Sequence, residues 1–133
     1  MVQVSQSPLV WCLIGVAPLV AWLGASLGLS LNLSSVRDWL VFLLIAPVLE
    51  EWLFRSQLQH EVIRRFTGPH TANLLVSFLF MAFHWQGQGM LVFLWLVPSL
   101  ALGELWRKHG NLLLNVFMHS WFNASLWWVS AQS

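Results

Sequence analysis

Charge is what this chain has least of. Asp, Glu, Lys and Arg make up 8% of its 133 residues against 58% apolar residues, and the mean hydropathy is +0.70. A soluble domain carries about 25% charge, so that class is excluded and the chain reads as an integral membrane protein. A net charge of +1 leaves a nucleic-acid partner without an electrostatic footprint. The lone cysteine, Cys12, supplies neither an internal disulfide nor a metal cluster. Its position in the first apolar run predicts a buried thiol. Internal repeats, low-complexity tracts and signs of a second domain are lacking too, so residues 1–133 read as a single integral membrane domain.

What is there is a succession of apolar runs. They predict an all-α, polytopic transmembrane helical bundle of about five spans, at residues 8–31, 37–60, 71–86, 90–106 and 111–129. The first run has no charge and is long enough for the roughly 30 Å of bilayer hydrocarbon. A secretory signal peptide is its rival reading, helped by Ala21, Gly24, Ala25 and Ser26 and opposed by the absence of a basic leader. Residues 32–35 read as a turn, with Ser35 capping the second helix. Pro47 removes a backbone donor, frees the carbonyl of Leu43 and should bend that helix. Residues 61–70 read as a polar connector stopped by Gly68-Pro69, and Gln86-Gly87-Gln88-Gly89 closes the third run. Gly110 ends the fourth helix and Asn111 caps the fifth. Ten tryptophans suit rings at the two interfaces, Trp95 lying deeper. With the N-terminus in the cytoplasm, Arg64, Arg65, Arg107 and Lys108 fall inside and only Arg37 outside, which the positive-inside rule favours.

Against this background Glu50-Glu51-Trp52-Leu53-Phe54-Arg55 stands out, because ionisable side chains inside a lipid-spanning helix are costly unless paired or working. Glu51 and Arg55, four residues apart, share a helical face and should pair, whereas Glu50 is turned about 100° away. Glu50 is therefore the candidate general base. Phe80 with His84, and His119 with Asn123, repeat the four-residue spacing. At 1.5 Å rise per residue, both glutamates, His84, His119 and Asn123 fall roughly 12–20 Å into the membrane. Three helices thus bring polar groups to one level. A carboxylate base, two histidines and an amide donor are parts for activating water and stabilising an oxyanion, as amide hydrolysis requires.

Two other readings of the same residues stay open. One is a satisfied polar network without chemistry, as in a membrane scaffold. The other is a zinc site built from Glu50, His84 and His119, although there is no His-Glu-x-x-His helix and the ligands would come from three helices. A transporter fits poorly, because no inverted repeat is present.

The order Glu-Glu-x-x-x-Arg (Glu50, Glu51, Arg55), Phe-x-x-x-His (Phe80, His84) and His-x-x-x-Asn (His119, Asn123), each in an apolar run, resembles the CPBP family. These are the CAAX-prenyl-protease and bacteriocin-processing proteins once called Abi. Gly110-Asn111-Leu112 is similar to the lead-in of the family's last motif. The resemblance implies a glutamate-type intramembrane endopeptidase that needs no cofactor, zinc being the minority alternative. It implies that Glu50 and His84 hold the water, His119 and Asn123 form the oxyanion pocket, Glu51 and Arg55 brace the first helix, and Phe80 packs the site. The implied partner is a membrane-associated protein or peptide, cut near its C-terminal region in the bacterial inner membrane. Compact relatives resembling this chain are linked to C-terminal sorting anchors, and others to bacteriocin self-immunity.

Overall fold

In the computed structural model, residues 7–28, 33–85 and 89–132 are described, and among them the chain is helical, with no strand. Five rods follow in order. Helix α1 is Pro8–Ser26, α2 is residues 36–66, α3 is Pro69–Phe83, α4 is Gly89–His109 and α5 is Leu112–Ser130. Their ends follow local chemistry. Ser35 accepts from the backbone of Asp38 at 3.2 Å while the Asp38 carboxylate accepts from the Ser35 backbone at 2.9 Å, a reciprocal capping box that starts α2. Gly110 takes the left-handed conformation (φ 56°) that ends α4, and the Asn111 side chain accepts from Leu114 N at 3.0 Å to start α5.

Several boundaries differ from the sequence expectation. Helix α2 continues through the supposed connector to Phe66, leaving Thr67 and Gly68 as the break before Pro69 opens α3. Gly and Pro set the stop, and the charged residues before them stay helical because a solvated helix end tolerates charge. Helix α3 ends at Phe83, with His84 as its C-cap. Helix α4 begins as a 3-10 segment, Gly89–Trp95, and becomes α-helical from Leu96. The last residues of the first expected span, Asn32 of the turn and Gln86-Gly87-Gln88 lie outside the described residues.

Two helices, α1 and α4, are long and apolar enough to cross a membrane, and α3 is a shorter apolar helix. Helices α2 and α5 have the length but are interrupted by polar groups, Glu50, Glu51 and Arg55 in one and Asn115, His119 and Asn123 in the other. The polarity that dilutes their hydropathy is that of the site itself.

Packing turns the apolar pattern partly inside out. Val10, Leu13 and Ala17 of α1 join Leu102 and Leu105 of α4 and Met118 and Phe122 of α5 in one core cluster, while Phe54, Val76 and Phe80 form a second. Ala17, Ala21 and Gly24 are the buried small residues of α1 and let it approach its neighbours closely, α5 above all. Large apolar side chains such as Leu19, Trp22, Phe117 and Trp128 are more than 60% exposed, an outer surface suited to lipid. Cys12 belongs to that exterior. It is exposed, against the expectation of a buried thiol, because the inward face of α1 is taken by Val10, Leu13, Ala17, Ala21 and Gly24.

Candidate active site

Helix α2 is not a uniform α-helix. Residues Val41–Ile45 and Glu51–Ile63 are wound as π-helix, with α-helical turns before, between and after them. Departures of this kind inside helices recur at functional sites. Pro47 lies between the two and has no N–H to give to the preceding turn. An α-helical bond from position 47 would have ended on the carbonyl of Leu43, and a π-helical one on that of Phe42. Both carbonyls receive side chains of α5 instead. Ser120 Oγ donates to Leu43 O at 2.6 Å, and Asn123 Nδ2 donates to Phe42 O at 2.8 Å. The missing proline donor thereby docks α5 against α2 and fixes the Asn123 amide.

The two adjacent glutamates meet different surroundings. Glu51 is fully buried. One carboxylate oxygen accepts from His119 Nδ1 at 2.8 Å; the other accepts from Asn115 Nδ2 at 2.9 Å and lies 3.5 Å from Arg55 Nε. The pairing of Glu51 with Arg55 inferred from spacing is thus present, but His119 and Asn115 join it. Glu50, by contrast, faces a cavity of about 250 Å³ that is also lined by Phe80, His84, His119 and Asn123. Its carboxylate oxygens stand 3.8 Å from His84 Nε2 and 3.5 Å from His119 Nε2, and the Glu50 side chain keeps 17% of its exposure.

Both histidines are oriented by their other nitrogen. A carbonyl or carboxylate oxygen only accepts, so His84 Nδ1–H donates to Phe80 O at 2.9 Å and His119 Nδ1–H to Glu51. Each Nε2 is left facing Glu50. Phe80 stacks on His84 with ring centroids 4.3 Å apart and meets the His119 ring edge-on at 5.9 Å. Trp95 covers His84 from α4 at 5.5 Å.

Beneath Glu51 lies a polar lattice that sequence reasoning missed. Arg55, fully buried, donates from Nη2 to the hydroxyl and the carbonyl of Ser99, both at 2.8 Å, and from Nη1 to Gln59 Oε1 at 3.2 Å. Asn73 donates to Leu100 O at 3.1 Å, Asn115 to Leu102 O at 2.8 Å and Gln59 to Gly103 O at 3.0 Å. A helical carbonyl has a second lone pair, and α4 offers four of them, between positions 99 and 103, to side chains from α2, α3 and α5. A Cβ on Gly103 would run into the Asn73 side-chain oxygen, so the approach needs glycine. Spacing held a usable signal. Asn115 is four residues before His119 and Gln59 four after Arg55, each extending a recognised motif by one turn.

Among the described residues, no group of three or more His, Cys, Asp or Glu side chains is arranged to hold a metal ion. Residues 32–125 match the family model described as type II CAAX prenyl endopeptidase Rce1-like. No curated protein and no solved structure matches the chain. The matched stretch runs from before α2 into α5 and takes in Glu50, Glu51, Arg55, Phe80, His84, His119 and Asn123. With its two long apolar helices and this peptidase assignment, the molecule is a membrane protein. It belongs to the type II CAAX prenyl endopeptidase (Rce1-like) family, the CAAX-protease branch that its three motifs resemble.

Proposed function

We propose that this protein is a glutamate-type intramembrane endopeptidase with Glu50 as general base. The carrying observation is the pair of Nε2 atoms facing the Glu50 carboxylate at 3.5 and 3.8 Å in the cavity. These separations exceed a direct hydrogen bond and suit groups that share a water molecule. In this reading, water held by Glu50 and His84 attacks the scissile carbonyl carbon while its proton passes to Glu50. The oxyanion is met by the Asn123 amide hydrogen not used on Phe42 and by His119, whose Nε2 must carry a proton for this step while its Nδ1–H stays on Glu51. Collapse breaks the C–N bond, and Glu50 returns the proton to the leaving amine, giving a carboxylic acid and an amine. Glu51 and Arg55 act as positioning residues by holding His119 and the α2–α4 contact, and Phe80 packs both imidazoles.

The same reading takes all five helices as spans of a polytopic bundle in the bacterial cytoplasmic membrane, with the N-terminus in the cytoplasm. The proposed substrate is a membrane-associated protein or peptide cut near its C-terminal region. An apolar cavity wall with Val20 and Ala21 of α1, Phe42 of α2 and Leu126 of α5 supports an apolar chain beside the scissile bond.

The test is co-expression with candidate C-terminally anchored membrane proteins, followed by mass mapping of new termini. Glu50→Gln should abolish cleavage by a factor of about 10²–10⁴ while the variant inserts and purifies normally. Cleavage at the wild-type rate would remove Glu50 as the base. Prolonged chelation with zinc quantified in the purified protein tests the metal route from Glu50, His84 and His119. Loss of activity restored by zinc would overturn the cofactor-free reading.

A non-enzymatic scaffold or bacteriocin-immunity protein is the second reading, and the dense bonding of Glu51 and Arg55 favours it specifically. It requires His119→Ala and Asn123→Ala to lower stability or partner binding, with no turnover to lose.

A further inference from the structure

A second cavity, of about 170 Å³, opens at the other end of the polar lattice and shares no lining residue with the first. Its basic side chains are His60 and Arg64 from α2 and Arg107 from α4; Trp106 and Pro69 supply apolar wall, and no lining residue is acidic. Nearby carboxylates already pair with two of these three, Arg107 and His60. Glu104 binds Arg107 through both oxygens at 2.6 and 2.7 Å, and Glu61 accepts from Arg65 at 2.8 Å and contacts His60 at 3.0 Å. Arg64 alone of these arginines makes no hydrogen bond or ion pair among the described residues. A guanidinium without a protein partner at the rim of a pocket is a recognition element for a bidentate oxyanion such as phosphate.

The surroundings select the source of that phosphate. Trp106 and Pro69 give the pocket an apolar wall. That wall suits the glycerol and acyl portion of a phospholipid, and a free anion gains nothing from it. Trp106 is the type of residue that sits at headgroup level, and basic pockets between helices at the cytoplasmic surface take anionic headgroups.

We propose that this pocket binds the phosphate-bearing headgroup of an anionic phospholipid, with Arg64 as its principal cation. The inference rests on the membrane reading of the chain and not on the catalytic one, so cleavage by Glu50 and lipid retention at Arg64 can fail separately.

The test is native mass spectrometry of the purified full chain, delipidated and then supplied with phosphatidylglycerol, phosphatidylcholine or inorganic phosphate. A one-to-one phosphatidylglycerol adduct is expected, retained more strongly than phosphatidylcholine. Arg64→Gln should weaken it about fivefold, the roughly 1 kcal/mol that one basic side chain contributes at a lipid surface. Arg65→Gln, in the next residue but outside the pocket, should leave retention within about twofold of wild type by the same reasoning. Thermal unfolding of both variants should match wild type, since Arg64 bonds no described residue and Arg65 makes only an exposed pair. Equal losses in the two variants would mean diffuse surface attraction and overturn the pocket, as would equal retention of phosphatidylcholine. Inorganic phosphate bound as tightly as the lipid would replace a lipid site by a small-anion site.

Discussion

Glu50 and Glu51 are neighbours of identical chemistry in two unlike regions. Glu51 has both carboxylate oxygens hydrogen-bonded, to His119 at 2.8 Å and Asn115 at 2.9 Å, with the Arg55 guanidinium 3.5 Å away and itself tied on to Ser99 and Gln59. Around Glu50 the polar contacts are 3.5 and 3.8 Å long and border a cavity. A buried charge that is fully bonded has no capacity left for a substrate. One that is held near its partners without touching them keeps its capacity for chemistry, and this difference supports the proposal that Glu51 serves structure and Glu50 reaction.

The packed side should show the largest effect. Arg55→Met leaves Glu51 as an uncompensated buried charge and should cost about 3–5 kcal/mol, read as a large fall in Tm in detergent. If Arg55→Met were as stable as Glu50→Gln, the two regions would not differ as described. Gly103→Ala drives a methyl group into Asn73 and should cost about 1–3 kcal/mol by overpacking. Adding Asn73→Ser should restore part of that loss, and strict additivity in the double-mutant cycle would deny the contact. Asn115→Ala removes one bond to Glu51 and one to Leu102 O; a loss of about 1–3 kcal/mol is expected.

Pro47→Ala restores a backbone donor that competes with Ser120 and Asn123 for Leu43 and Phe42. Its stability should change by less than about 1 kcal/mol, while turnover falls about ten- to a hundredfold as the Asn123 amide loses its fixed position. Unchanged turnover would detach the proline from the site. Glu50→Gln sharpens the contrast from the other side, with the smallest stability effect, within about 0.5 kcal/mol, measured on the same preparation used for the cleavage assay.

The motifs were readable because helical spacing is local. Glu51 pairs with Arg55 and Phe80 stacks on His84 across four residues each, and Ser35, Gly110 and Asn111 act at helix ends through their own backbone neighbours. Even the carbonyl freed by Pro47 was deducible, although its recipient was not, since Ser120 lies 77 positions away. The length of α2, its π-helical winding and the outward face of Cys12 escaped the sequence for a common reason. Each depends on which helix lies alongside, and apolar residues spread around a helix do not disclose that.

A membrane chain of helices was legible from composition and 3.6-residue periodicity, because both are properties of single segments. Only the tertiary structure decided that His119 is bound to Glu51 while its other nitrogen faces Glu50, and that four carbonyls of α4 anchor the lattice beneath. A hydrogen bond between helices has no signature in either strand of sequence alone; it exists when packing brings a donor and a spare lone pair within about 3 Å.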